Sequence, residues 1–143
     1  MKNTTAIVFI LIVALVISFT GCSIFPHEYD YIHEKDRIVK IELVQYECEC
    51  EDYRELEVVR EIQDIKSFIT EFDNLKFYSF WGGPLEITEN NIVIKFVYDN
   101  GDFELVDHSG RTRFIAELES SSGGARGYFN ESEFKSFIEK HLQ

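Results

Sequence analysis

Apolar positions in this chain recur first at every second residue, then at helical spacing, then at every second residue again. The order of those changes predicts the elements. Arg37–Glu47 reads as a strand with Val39, Ile41 and Leu43 on one face and Val44 and Tyr46 on the other. The apolar side switches midway, which predicts a bulge or a strand buried on both faces. Tyr53–Ile62 reads as a second strand, with Leu56 and Val58 opposite Glu55, Glu57 and Glu61. The acidic stretch between the two is the expected hairpin tip. Asp64 is placed as an N-cap, and Ile65, Phe68, Ile69 and Phe72 follow on one helical face to about Asn74. Leu75–Trp81 reads as a strand stopped by Gly82-Gly83-Pro84.

Asn91–Tyr98 is apolar on both faces, with Ile92, Ile94, Phe96 and Tyr98 on one and Val93 and Val97 on the other. That pattern predicts a central strand. Asn100-Gly101 predicts a tight hairpin turn, because such turns need positive φ. Asp102–Asp107 returns, Ser109-Gly110 turns again, and Arg111–Leu118 completes a three-strand meander with Phe114, Ala116 and Leu118 inward. Glu119–Gly127 reads as a Ser/Gly-rich loop. Asn130 with Glu133 forms a capping-box variant before a helix from Glu131 to about His141, whose inner face is Phe134, Phe137, Ile138 and Leu142. The order β-β-α-β-β-β-β-α predicts an α+β domain. It comprises an antiparallel sheet of about five to six strands with two amphipathic helices packed on one face.

The N-terminus follows a different pattern. After Lys2 comes an uncharged run, Ala6–Phe19, of 14 residues. As a helix it would span about 21 Å, short of the roughly 30 Å hydrocarbon core. Extending it meets polar Thr20 and Ser23 and then Pro26 and His27. A membrane-spanning helix is therefore a poor fit. An ordinary secretory signal, cleaved after small Thr20 and Gly21, also competes. Phe19-Thr20-Gly21-Cys22 resembles the lipobox of a bacterial lipoprotein signal peptide, with Phe19 where Leu is commoner. The chain resembles the small membrane lipoproteins of low-GC Gram-positive bacteria, over residues 1–22 only. The resemblance implies cleavage before Cys22, a diacylglyceryl thioether on Cys22, and a protein lipid-anchored at the extracytoplasmic face of the cell membrane. The expected organisation is a signal peptide at 1–21, the lipidated Cys22 and a tether at 22–36, and one α+β extracytoplasmic domain at 37–143.

Charge bears on what holds the protein there. The full chain has 14 Lys+Arg and 26 Asp+Glu, a formal charge of −12. Removing residues 1–21 deletes Lys2 and no acid, leaving −13 on 122 residues. Nucleic acid and anionic membrane surfaces both repel such a chain, so no nucleic-acid partner is expected and lipid on Cys22 must supply the membrane hold. A hydrophobic content of 45% excludes a disordered class.

The candidate chemistry is sparse. Cys48 and Cys50 lie in Glu47-Cys48-Glu49-Cys50-Glu51-Asp52. Residues two apart on a strand sit about 6.7 Å apart, too far for a direct disulfide unless the backbone turns. Two thiols are too few for a closed zinc site, and the flanking acids raise thiol pKa. The acids also match no calcium loop. A solvated hairpin tip is the plain alternative to a metal or thiol role for this pair. Arg111 and Arg113 share a strand face, and Arg126 follows the Gly123-Gly124 loop. The three are a candidate anion site, or a charged outer face that blocks sheet-to-sheet pairing. Asp107-His108-Ser109 holds triad residue types, but neighbours on a strand face opposite ways. Trp81 beside Gly82-Gly83-Pro84 is a candidate partner contact or a plug at the end of the core. Phe25, Tyr29, Tyr31 and Ile32 in the tether either dock on the domain or, for the rings, sit at headgroup level. No cofactor and no catalytic set emerges. The expectation is a non-enzymatic binding or interaction module with a possible extracytoplasmic protein partner. The alternative is a thiol or metal-binding lipoprotein acting through Cys48 and Cys50.

Overall fold

A computed structural model of the chain describes residues 25–49, 52–80, 91–115, 120–122 and 126–143. After a 3-10 turn at Lys35–Arg37 come β1 (Ile38–Glu49), β2 (Asp52–Glu61), α1 (Ile65–Phe72), β3 (Phe77–Phe80) and β4 (Asn91–Tyr98). Then follow β5 (Phe103–Asp107), β6 (Gly110–Ile115), β7 (Ser120–Ser122), β8 (Arg126–Phe129) and α2 (Glu131–Leu142). The fold is α+β. Six strands form one antiparallel sheet in the order β2-β1-β4-β5-β6-β7, and β3 pairs with β8 in a separate two-stranded ribbon.

The apolar run on both faces of β4 places it inside the sheet, between β1 and β5. Ile94, Phe96 and Tyr98 face the main core with Ile41, Leu43 and Val106. Val93, Val44 and Leu105 form a smaller cluster on the opposite face. Both helices cover the first face, through Phe68 and Phe72 of α1 and Phe134, Phe137 and Ile138 of α2. Phe72 lies at the centre, its ring within 5.2 to 6.5 Å of the rings of Tyr29, Tyr31, Phe68, Phe96, Phe129 and Phe137. Aromatic rings supply much of the buried apolar area here, and edge-on contacts predominate among them, as their quadrupoles favour.

The side switch in β1 has one cause. The strand is buried on both faces, and its register with β4 runs unbroken from Lys40 to Tyr46. Its pairing with β2 shifts twice, leaving Val59 and Leu56 as extra residues on β2. Bulges break alternation on the bulged strand. Val58, expected inward, is 43% exposed, beside Val59 at 44%. Two bulges on this edge strand also twist it away from further pairing.

Three local expectations need revision. The Asn100-Gly101 turn is a three-residue loop, with Gly101 N–H donating to Tyr98 O and Tyr98 N–H to Asp102 O. Gly101 takes φ of 90° at the position after the turn, where a Cβ would clash. Glu119–Gly127, read as a loop, contains β7 and the start of β8. Helix α1 stops at Phe72, two residues short of Asn74, with Asp73 as its C-cap.

Both N-caps are as expected. Asp64 Oδ1 accepts from Ser67 N, and Asn130 Oδ1 accepts from the amides of Ser132 and Glu133. Asn130→Ala leaves both amides of α2 without this partner and is expected to cost about 1 kcal/mol. Urea unfolding of wild type and variant checks it; equal midpoints would show the cap to be dispensable.

Candidate functional site

The segment 25–36 meets the domain along two lines. His27 pairs with Phe77 at the edge of β3, its N–H donating to Phe77 O at 2.9 Å and its carbonyl accepting from Phe77 N at 3.3 Å. His27 Nε2 and Ser79 Oγ are hydrogen-bonded at 2.8 Å. Tyr29 then enters the core, 3% exposed, among Phe72, Phe77, Phe96 and Phe129.

The polar end of Tyr29 explains why it stays there. Its hydroxyl donates to Glu104 Oε2 at 2.7 Å. Glu104 is fully buried on β5, and its Oε1 accepts from the Tyr98 hydroxyl and, at 3.4 Å, from Ile32 N–H. A buried carboxylate is costly unless donors surround it, and here they come from two separate stretches of chain, the segment before β1 and the end of β4. Burial raises the Tyr98 hydroxyl pKa above its ordinary value, and the charge of Glu104 adds to the rise. Burial also raises that of Tyr31, whose hydroxyl donates to Asp73 Oδ1 at 3.0 Å. Both therefore remain donors at any physiological pH.

The network extends to the β4–β5 loop. Asp102 Oδ2 lies 2.5 Å from His33 Nε2 and accepts from Asn100 Nδ2 at 2.7 Å. Lys35 Nζ reaches Asp73 Oδ2 at 2.6 Å, which raises its pKa. Residues 27–35 are thus fastened to α1, β3, β4 and β5. Tyr29 and Tyr31 are docking side chains, and their engagement in the domain overturns headgroup-level placement of these two rings. Phe25 is 79% exposed.

The β3–β8 ribbon has an unlike pair of faces. Phe77 and Phe129 face the core, whereas Tyr78 and Tyr128 stack across the strands at 5.1 Å with planes 13° apart. Tyr128 is 45% exposed. A pre-stacked tyrosine pair with one ring exposed and the other half-buried offers rigid area at little entropic cost, as recognition surfaces favour.

At the end of β5, Asp107 is buried and bonded to the two residues that follow it. Its Oδ1 accepts from His108 N at 2.5 Å and sits 2.7 Å from His108 Nδ1, and its Oδ2 accepts from Ser109 Oγ at 3.2 Å. The residues converge because His108 and Ser109 occupy a turn, where the alternation of a strand does not apply. The result is an Asp–His pair in which Ser109 bonds the carboxylate, whereas a triad needs the serine on the imidazole.

Other candidates are placed by backbone. Cys48 lies in β1 opposite Tyr53. Arg111 pairs with Val106 in the sheet and Arg113 with Glu104, while Arg126 pairs with Phe80 in the ribbon. Cys22, Cys50 and Trp81 lie outside the described residues, as do the glycines 82–83 and 123–124. Among the described residues, no cluster of three or more His, Cys, Asp or Glu side chains is arranged to hold a metal ion. Among them too, no helix is long and apolar enough to cross a membrane.

Sequence reasoning missed Glu104 as an organising residue. The usable signal is parity: Glu104 shares a strand face with Val106, so an inward Val106 puts a carboxylate inward as well. No protein-family model matches the chain, and neither a curated protein nor a solved structure matches it.

Proposed function

We propose that the protein is a lipid-anchored, non-enzymatic binding module of the extracytoplasmic membrane face, and that it meets a membrane-associated protein partner through the Tyr78–Tyr128 face. The observation that carries this reading is the fastening of residues 27–35. His27 follows Cys22 by five residues. At about 3.6 Å per residue, a lipid on Cys22 would keep His27, which pairs with the β3 edge, within about 18 Å of the Cys22 backbone. The stacked tyrosines ride on that same ribbon, so they would be presented close to the bilayer. With a formal charge of −13 on the chain from Cys22 onward, the domain is repelled by anionic lipid, which favours a protein surface as the contact.

Two measurements test it. Cys22→Ala should move most of the protein from washed membranes to the soluble fraction, because no basic patch remains to hold it. Retention in membranes would make the apolar N-terminal segment itself the anchor. A photo-crosslinking residue at position 128 should then yield a defined adduct with a membrane-associated protein. The same residue at 39, which is exposed on β1, should not. Equal adducts from both positions would remove the tyrosine pair from the reading.

A further inference from the structure

A cleft of about 270 Å³ opens between α2 and the end of β5. Its walls are apolar: Phe134 and Ile138 are buried, and Ile92 and Leu142 are half-buried. His108 and Asp107 border it, as do Lys135 and Glu139 of α2. Asp107 Oδ1 binds the Nδ1 side of the imidazole at 2.7 Å. In the neutral ring that fixes the proton on Nδ1 and leaves Nε2 as an acceptor. Among the described residues Nε2 has no hydrogen-bond partner.

The charges are unbalanced. Lys135 pairs with Glu131, Nζ to Oε1 at 2.7 Å, and its charge also acts on Asp107 and Glu139, so it offsets one of the two acids and the lining keeps a net negative charge. With the imidazole neutral, two acids against one lysine in the lining give the cleft an anionic cast. An apolar pocket with one oriented acceptor and net negative surroundings fits one ligand class. We propose that this cleft binds a small apolar molecule carrying a primary ammonium group. The ammonium donates to His108 Nε2 under the field of Asp107 and Glu139, and the body packs on Ile92, Phe134, Ile138 and Leu142. An apolar cavity of about 150 Å³ accepts benzene, so this larger cleft accommodates a ring with a short chain. The inference does not depend on the anchor or on the tyrosine face.

The test uses the full chain in phospholipid nanodiscs, with isoleucine methyls labelled for NMR and empty nanodiscs as the control for partitioning. The probes are 2-phenylethylammonium, 2-phenylethanol and 3-phenylpropionate. The ammonium should shift the Ile92 and Ile138 methyls and bind about fivefold tighter than the alcohol, as expected of a partly exposed charge contact. The carboxylate should bind weakest. His108→Phe should weaken the ammonium about tenfold, the usual scale for losing one hydrogen bond to a charged group. Glu139→Gln, an exposed helix position, should narrow the ammonium–alcohol gap and keep the fold if His108→Phe does not. Equal binding of the three probes would overturn the proposal. So would shifts absent from Ile92 and Ile138, or a preference unchanged in Glu139→Gln.

Discussion

Glu104→Ala is expected to destabilise the protein by about 2–5 kcal/mol, because it strands two buried hydroxyls at about 1–3 kcal/mol each. On a domain of this size that lowers Tm by roughly 10–20 °C. The loss has little to do with the side chain's own hydration. Truncation leaves the Tyr29 and Tyr98 hydroxyls buried without their acceptor and frees Ile32 N–H. An unsatisfied buried donor costs about 1–3 kcal/mol, whereas removing both partners together is far cheaper. The triple variant Glu104→Leu, Tyr29→Phe, Tyr98→Phe should therefore recover most of the lost stability, to within about 1.5 kcal/mol of wild type. Calorimetry of the single and triple variants decides it. A single variant costing under about 1 kcal/mol, or a triple variant no better than the single, would show that the carboxylate does not organise the network.

Gly127→Ala is the second large effect. Gly127 is buried on β8 opposite Ser79, and the ring of Phe77 lies over its backbone. A Cβ at 127 would fall onto the ring's tip, with both ε carbons at 2.6 Å. Phe77 cannot retreat, being fully buried against Tyr29 and Phe129. Overpacking of this kind costs about 1–3 kcal/mol, and a ring boxed in by other rings sits at the upper end. Phe77→Leu shortens the obstruction, so the pair Gly127→Ala, Phe77→Leu should be more stable than the sum of the two single losses implies. A double-mutant cycle with coupling near zero would count against the contact.

How much of this was legible depends on the range of the interaction. The strand Asn91–Tyr98, the caps Asp64 and Asn130, and the inner faces of both helices are written in short windows, and the structure bears them out. The ribbon was only half visible. Leu75–Trp81 marks β3, but its partner β8 begins inside a Ser/Gly-rich stretch with no alternation to read. Gly127 looks like loop glycine until Phe77, 50 positions earlier, is seen lying on it. Val58 was misplaced because bulges obey partner geometry, not the strand's own pattern. The carboxylate network was least legible. Tyr29 sits in what reads as a tether, and only the fold brings it to an acid on β5.

The sheet order carries a consequence for how the chain assembles. Hairpin β1–β2 and the meander β4–β5–β6 each close through near neighbours in sequence, and only the β1–β4 pairing joins them. Loop-closure entropy delays such distant contacts. Tyr29 and Glu104 are 75 residues apart, so their contact is expected to follow the closing of that seam. Docking of residues 27–35 is therefore expected late in folding, where its hydrogen bonds would report that the two halves have joined.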